Sequence, residues 1–176
     1  GCVATFFEVG NLVKQGTDTI KRAEALGCEI ASHTWSHANL QTSSQLVIDS
    51  QIEKADEAFY EAIGKKPVLL RPPYCATDKE LLANCDKYLI GWSVDTNDWK
   101  YRDADKVFSV IKNEGDLDGD VILMHSLYDS TAKATERIVP YLVDKGYQLV
   151  TISELIKYKN EDFLETGKYY TYNYFG

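Results

Sequence analysis

Basic residues are scarce in this sequence, histidine is scarcer, and long hydrophobic runs are missing. Lysine and arginine number 19 against 27 acidic residues in 176, a formal net charge of −8 with a pI near 4.9. Such a chain lacks the basic footprint of a nucleic-acid binder and the polybasic segment of a membrane anchor. Its longest apolar runs, such as Val121 to Met124, are strand-sized and do not approach a membrane span. The four cysteines, Cys2, Cys28, Cys75 and Cys85, contain no CxxC pair, which excludes a zinc ribbon, and they are too few for a disulfide scaffold. Cys2 and Cys28 each open an apolar run and are expected to be small buried residues; Cys75 and Cys85 could pair in an exported chain. The sequence begins on a strand-like run, Cys2 to Phe7, with neither initiator methionine nor leader, as expected of a fragment or of a chain whose first segment was removed.

What is present is ordinary globular material. Apolar residues make up 44% and charged residues 26% of a 19.9 kDa chain, which suits one domain over residues 1–176. Short apolar runs alternate with helical windows. Strands are expected at Val3–Phe7, Glu29–Ala31, Val68–Leu70, Tyr88–Val94, Val121–Met124 and Gln148–Thr151. Helices are expected at Asp18–Leu26 behind a Thr17 N-cap, from Ser43 or Ser44 to Ile63, and at Asp78–Lys87. Three more are expected at Ala104–Lys112 behind Asp103, Ala132–Lys145 and Ser153–Tyr158. Glycines 27, 64 and 146 stand where helices should stop. This alternation predicts an α/β fold with a parallel sheet, open and doubly wound or closed into a barrel. Residues 160–176, rich in tyrosine, are expected to form an extended strap packed on the domain.

Only three histidines occur. His33 and His37 stand four apart in Ser32-His33-Thr34-Trp35-Ser36-His37, a spacing that on a helical turn lets two imidazoles share a metal. No glutamate follows His33, so the HExxH metalloprotease pattern is absent. On an isolated helix, two surface histidines would be the plainer reading; position argues otherwise. His33 follows one expected strand, Arg71 a second, Asp95 and Asp98 a third, and His125 a fourth. In a parallel architecture the carboxyl ends of strands form the face on which active sites are built.

These segments resemble the NodB-homology polysaccharide deacetylases, carbohydrate esterase family 4. The resemblance rests on Ala4-Thr5-Phe6-Phe7, Ser32 to His37, Arg71-Pro72-Pro73-Tyr74, Asp95-Thr96-Asn97-Asp98-Trp99 and Ile122-Leu123-Met124-His125-Ser126, in family order from residue 3 to about 156. The approach Trp92-Ser93-Val94-Asp95 is most like the peptidoglycan N-acetylglucosamine deacetylase branch. The resemblance implies a distorted (β/α) barrel and hydrolysis of N-acetyl groups on a β-linked polysaccharide. Peptidoglycan N-acetylglucosamine is the first expectation, with chitin oligomers or acetylated xylan as alternatives. It implies an extracellular or cell-surface location, a polysaccharide partner and no nucleic acid. It also implies a divalent metal, expected to be zinc, held by His33, His37 and an aspartate.

That aspartate and the general base come in the family from an Asp-Asp pair on a strand before the Ala-Thr-Phe-Phe segment. No Asp-Asp pair occurs in this sequence. The expectation is therefore a domain without its first βα unit or, as a rival, a non-catalytic carbohydrate-binding relative. The resemblance makes His125 the general acid that protonates the departing amine. Asp98 is its carboxylate partner, with Asp95 as second choice, and such a partner would favour the imidazolium. Arg71 is likened to the arginine that orients the catalytic aspartate, the backbone N–H of Tyr74 to an oxyanion donor, Trp99 to a groove wall and Leu127 to the wall of an acetyl-methyl pocket. Cys75 stands where the family often has glycine, and Ser126 where this branch commonly has aspartate. Taken one at a time, the aspartates could be loop caps, Arg71 a surface ion pair, and Trp99 and Leu127 core residues.

Overall fold

The structure is a computed structural model that describes residues 1–77, 85–159 and 169–170. The elements in chain order are β1 (Thr5–Glu8), α1 (Gly10–Ala25), β2 (Glu29–Ser32), α2 (Gln45–Ile63), β3 (Leu69–Leu70), β4 (Tyr88–Ile90), β5 (Val94–Asp95), α3 (Asp98–Tyr101), α4 (Ala104–Asn113), β6 (Ile122–Leu123), α5 (Asp129–Asp144), α6 (Ile152–Tyr158) and β7 (Tyr169–Tyr170). The chain is α/β and all its strand pairs are parallel. Two compact units divide it: one comprises Val3–Gly91 and Thr151–Tyr170, the other Trp92–Val150 with the first two residues.

The first unit carries a five-stranded sheet in the order β1-β2-β3-β4-β7. Phe7 lies opposite Ala31, Ser32 opposite Leu70, and Leu70 opposite Leu89. Helices α1 and α2 pack through Val13, Ile20, Ala55 and Phe59, while Leu40, Ile48, Leu70, Cys85 and Leu89 form a second buried cluster. Helix α1 starts at Gly10, seven residues before the expected Thr17 cap, and Thr17 instead turns its hydroxyl back onto the Val13 and Lys14 carbonyls. The reason is tertiary. The first-turn N–H groups of Gly10 and Asn11 find the carbonyls of Thr34 and Trp35 at 2.8 and 2.9 Å, so no side-chain cap is needed. Helix α2 ends as expected at Gly64, whose φ of 70° suits glycine. A buried ion pair joins α2 to the approach to β4: Lys87 Nζ lies 2.6 Å from Asp56 Oδ2 and donates also to the Pro67 carbonyl. The expected helix Asp78–Lys87 falls largely on residues 78–84, outside the described residues, and 85–87 are not helical.

In the second unit β5 and β6 form a two-stranded parallel pair, Val94 opposite Ile122. Val107, Ile111, Ala134, Ile138 and Leu142 of α4 and α5 pack with Val94 and Leu117 into its core. Asp103 caps α4 as expected, accepting from the N–H groups of Asp105 and Lys106. The single strand expected over Tyr88–Val94 is in fact two, in different sheets. Its middle cannot run on as a ladder, because the Ile90 and Gly91 carbonyls accept from the Arg71 guanidinium and Ser93 ties its side chain to Val121. The strand expected at Gln148–Thr151 does not form. Thr151 instead closes a capping box with Glu154 at the start of α6. Of the expected tail, Tyr169–Tyr170 pair with β4, and 160–168 and 171–176 lie outside the described residues. Cys2 is exposed and Cys28 only half-buried, against expectation, and Cys85 is a buried free thiol.

Gly10 fixes how closely α1 approaches both α2 and the histidine loop. A Cβ there would stand 2.9 Å from the Ala55 backbone and 3.1 Å from the Trp35 ring. Gly10→Ala is expected to destabilise the protein by about 1–3 kcal/mol, measured by urea unfolding, since backbone cannot yield as a flexible side chain would.

Candidate active site

The first unit builds its cluster on adjacent strand ends. The ladder runs one residue past the strands: the His33 N–H donates to the Glu8 carbonyl and the Arg71 N–H to the Ser32 carbonyl, each at 2.9 Å. Burial pushes the Glu8 carboxyl above its ordinary pKa. The His33 ring then meets the next strand end, with Nδ1 2.6 Å from the Arg71 carbonyl. A carbonyl only accepts, so Nδ1 carries the proton and the lone pair is on Nε2. This is the arrangement that orients metal-ligating histidines. The His37 ring lies edge-on to His33, centroids 4.7 Å apart, and Tyr74 lies 4.9 Å beyond His37. Gln51 of α2 clamps the loop between the histidines, accepting from the Ser36 N–H and donating to its hydroxyl. Two imidazoles at this spacing could hold one divalent cation between them, and the donor set suits a borderline metal such as zinc. Among the described residues no third histidine, cysteine or carboxylate completes the cluster.

Arg71 is buried, not the surface ion-pair residue it could have been. Its Nη2 donates to the Gly91 carbonyl at 2.9 Å, and its guanidinium lies 4.1 Å over the Phe7 ring. The chain then turns through Pro72 and Pro73, closed by bonds from Cys75 N to Pro72 O and Ala76 N to Pro73 O. Tyr74 and Cys75 both take positive φ there, 61° and 55°. Such a conformation suits the glycine that the family often has at Cys75. Thr34 (67°), His37 (59°) and Asn97 (53°) are left-handed as well. Thr34 is wholly buried and β-branched, for which this region is a true outlier. Strain of about 1–3 kcal/mol per residue persists only where the surroundings impose it, and here it gathers on the loops that carry the motifs.

The second unit supplies a buried carboxylate and an imidazole. Asp98 opens α3 with no exposed surface and accepts four hydrogen bonds. Oδ1 takes the Trp99 N–H at 2.9 Å and His125 Nδ1 at 2.8 Å; Oδ2 takes the His125 N–H at 2.6 Å and the Thr131 hydroxyl at 2.7 Å. Burial alone would raise the Asp98 pKa. The bonds from the His125 ring and backbone and from Thr131, with the charge of His125, outweigh it and hold the carboxyl below its ordinary value. Since Nδ1 of His125 is engaged by Asp98, proton exchange with a substrate falls to Nε2. Asp95 is otherwise occupied: its carboxylate accepts the Asn97 N–H at 2.8 Å, the loop-capping role. The carboxylate that holds His125 is thus Asp98 and not Asp95. Trp99, Leu127 and Tyr74 are 48, 74 and 68% exposed, so none of them is core filling.

The family model for polysaccharide deacetylases matches residues 1–89. The chain belongs to the polysaccharide deacetylase family. It is 37% identical over 167 residues to the peptidoglycan-N-acetylglucosamine deacetylase PgdA of Listeria monocytogenes, covering 95% of this chain and 35% of that protein. It is 35% identical over 158 residues to the peptidoglycan-N-acetylmuramic acid deacetylase PdaC of Bacillus subtilis, covering 90% of this chain and 34% of that one. The chain therefore spans about a third of the length of these curated relatives. A family 4 acetyl xylan esterase from Clostridium thermocellum, solved in complex with a cobalt ion, superposes with a TM-score of 0.89 at 28% identity, covering 99% of this chain and 87% of that one. The chain thus has the parallel α/β fold of its family.

Sequence reasoning did not find Gln51, Thr131 or Glu8. A charged residue ending the apolar run of β1 was a visible signal for Glu8; the other two are ordinary polar positions on helices. Asp98→Asn places an amide N–H against groups that already donate. Because the Asp98 pKa is depressed in the folded protein, its contribution to stability is complete above the unfolded-state pKa of about 4 and lost as pH falls through the folded value. Urea unfolding should show the wild-type advantage over Asp98→Asn in full at neutral pH and shrinking below about pH 4.

Proposed function

We propose that this chain is the hydrolytic part of a metal-dependent deacetylase that removes N-acetyl groups from a β-linked polysaccharide, the N-acetylglucosamine of peptidoglycan first among them. The observation that carries the reading is the Asp98–His125 pair. A wholly buried carboxylate, kept ionised by four donors, holds an imidazole by Nδ1, which is what a general acid aimed at a leaving amine requires. The resemblance to PgdA supports the substrate, and the acetyl xylan esterase supports acetylated xylan as the second reading.

His33 and His37 are the proposed ligands of a divalent ion, zinc before others. When bound, that ion supplies Lewis-acid polarisation of the amide carbonyl and activation of water. The remaining roles belong to this chain. The Arg71 carbonyl fixes the His33 tautomer, and the Tyr74 backbone N–H is proposed to stabilise the developing oxyanion. Trp99 and Leu127 present exposed apolar surface to a sugar ring and an acetyl methyl group. His125 Nε2 delivers the proton that lets the amine depart, leaving acetate and a glucosamine-containing glycan. The family's general base is a carboxylate of the Asp-Asp pair, which none of these residues matches. With peptidoglycan as the proposed substrate, the proposed location is outside the cell or on its surface.

Acetate release from peptidoglycan, chitin oligomers and acetylated xylan tests the proposal. Zinc-loaded full-length protein should release acetate from at least one of them and stop when chelated, whereas these 176 residues alone, without an Asp-Asp pair, should be inactive or bind zinc weakly. His125→Ala should lower kcat roughly 10²–10⁴-fold with bound zinc unchanged. No acetate from any of the three glycans would overturn the proposal, and loss of metal in the variant would show that His125 had been misassigned.

A further inference from the structure

We infer that Thr131 is a positioning residue for the His125 acid, its hydroxyl locking the rotation of the Asp98 carboxylate. The inference rests on the reading of Asp98 and His125 given above and extends it to a residue outside every motif of the family resemblance. Thr131 lies in the first turn of α5 and is buried. Its backbone is set by a bond from its N–H to the Tyr128 carbonyl at 3.0 Å, and its hydroxyl lies 2.7 Å from Asp98 Oδ2.

A carboxylate can turn about its Cβ–Cγ bond, and any turn would swing Oδ1 away from His125 Nδ1. Oδ1 is held by the Trp99 N–H as well as the ring, and Oδ2 by the His125 N–H and Thr131. Trp99 follows Asp98 directly in the chain, and the other two donors belong to His125 itself. Among the described residues Thr131 is the one donor that belongs neither to the Asp98 helix nor to His125, so it references the pair to α5. Charged groups of the flanking segments make contacts of their own or face solvent. Asp95 caps Asn97, Arg102 donates to the Trp99 carbonyl and lies over the Tyr128 ring, Asp105 pairs with Arg137, and Asp129 is exposed. The hydroxyl must also donate, because an ionised carboxylate only accepts. Valine has the same shape but cannot serve.

Thr131→Val removes the donor at nearly constant volume. The Asp98 carboxyl, followed by its ¹³C resonance without substrate, should begin to titrate at higher pH than in the wild type, because the charged form has lost a hydrogen bond. In the zinc-loaded full-length protein kcat should fall roughly tenfold with KM unchanged, as expected for loss of orientation and not of binding. Thr131→Ser should restore both. Should the valine variant not fold, Thr131→Ala carries the same two measurements. Wild-type titration and kcat in a folded hydroxyl-free variant would overturn the inference, as would a serine variant no better than valine. The carbon titration needs no turnover. A protein that deacetylates no glycan would remove the functional reading, while the titration would still decide whether Thr131 holds Asp98.

Discussion

A guanidinium cannot shed its charge, so burying one obliges the protein to surround it with acceptors and a polarisable face. Arg71 is that case, and the first unit is arranged about it. Its N–H extends the ladder to β2, its own carbonyl takes Nδ1 of His33, its side chain reaches the Ile90 and Gly91 carbonyls at the end of β4, and its plane rests on Phe7 of β1. One residue thereby ties four parallel strand ends together and selects which nitrogen of His33 offers a lone pair. The splitting of the Tyr88–Val94 run has the same origin, for the carbonyls that would continue that strand are turned to Arg71.

The second unit meets the complementary problem with a buried anion. Asp98 is wholly buried and among the described residues has no lysine or arginine partner; backbone N–H groups, one hydroxyl and one imidazole stabilise it. Donors fixed by chain geometry need no reorganisation when charge moves, the property that makes such a network useful in proton transfer. The left-handed residues on the motif loops fit the same view. Thr34, His37, Tyr74 and Cys75 hold conformations that local preference opposes and that the strand ends and α2 impose.

Much of this was legible in the residues, because hydrophobic periodicity reports local burial and strand ends report where reactive side chains gather. The β-α alternation, the long helix ending at Gly64 and the Asp103 cap follow from such signals, whereas the preference for Asp98 over Asp95 came only from the family resemblance. What was not legible is tertiary. Helix α1 begins at Gly10 only because Thr34 and Trp35 lend it carbonyls, which nothing near Gly10 announces. Gln148–Val150 has a strand composition but no ladder to join, since Thr151 is committed to the capping box. Cys2 looks like a core residue by its neighbours, and exposure is decided by what folds over it. Thr131 reads as an ordinary helix residue until its distance from Asp98 is known.

The account turns on the imidazole that Arg71 orients. Nitrogen-15 spectra of the histidine rings during a zinc titration test it most directly. The account predicts that the ion moves the Nε2 resonance of His33 while Nδ1 keeps its proton, that His37 responds in step, and that His125 stays as it was. Coordination of zinc through Nδ1 of His33, or uptake of zinc that leaves His33 and His37 unmoved, would contradict it.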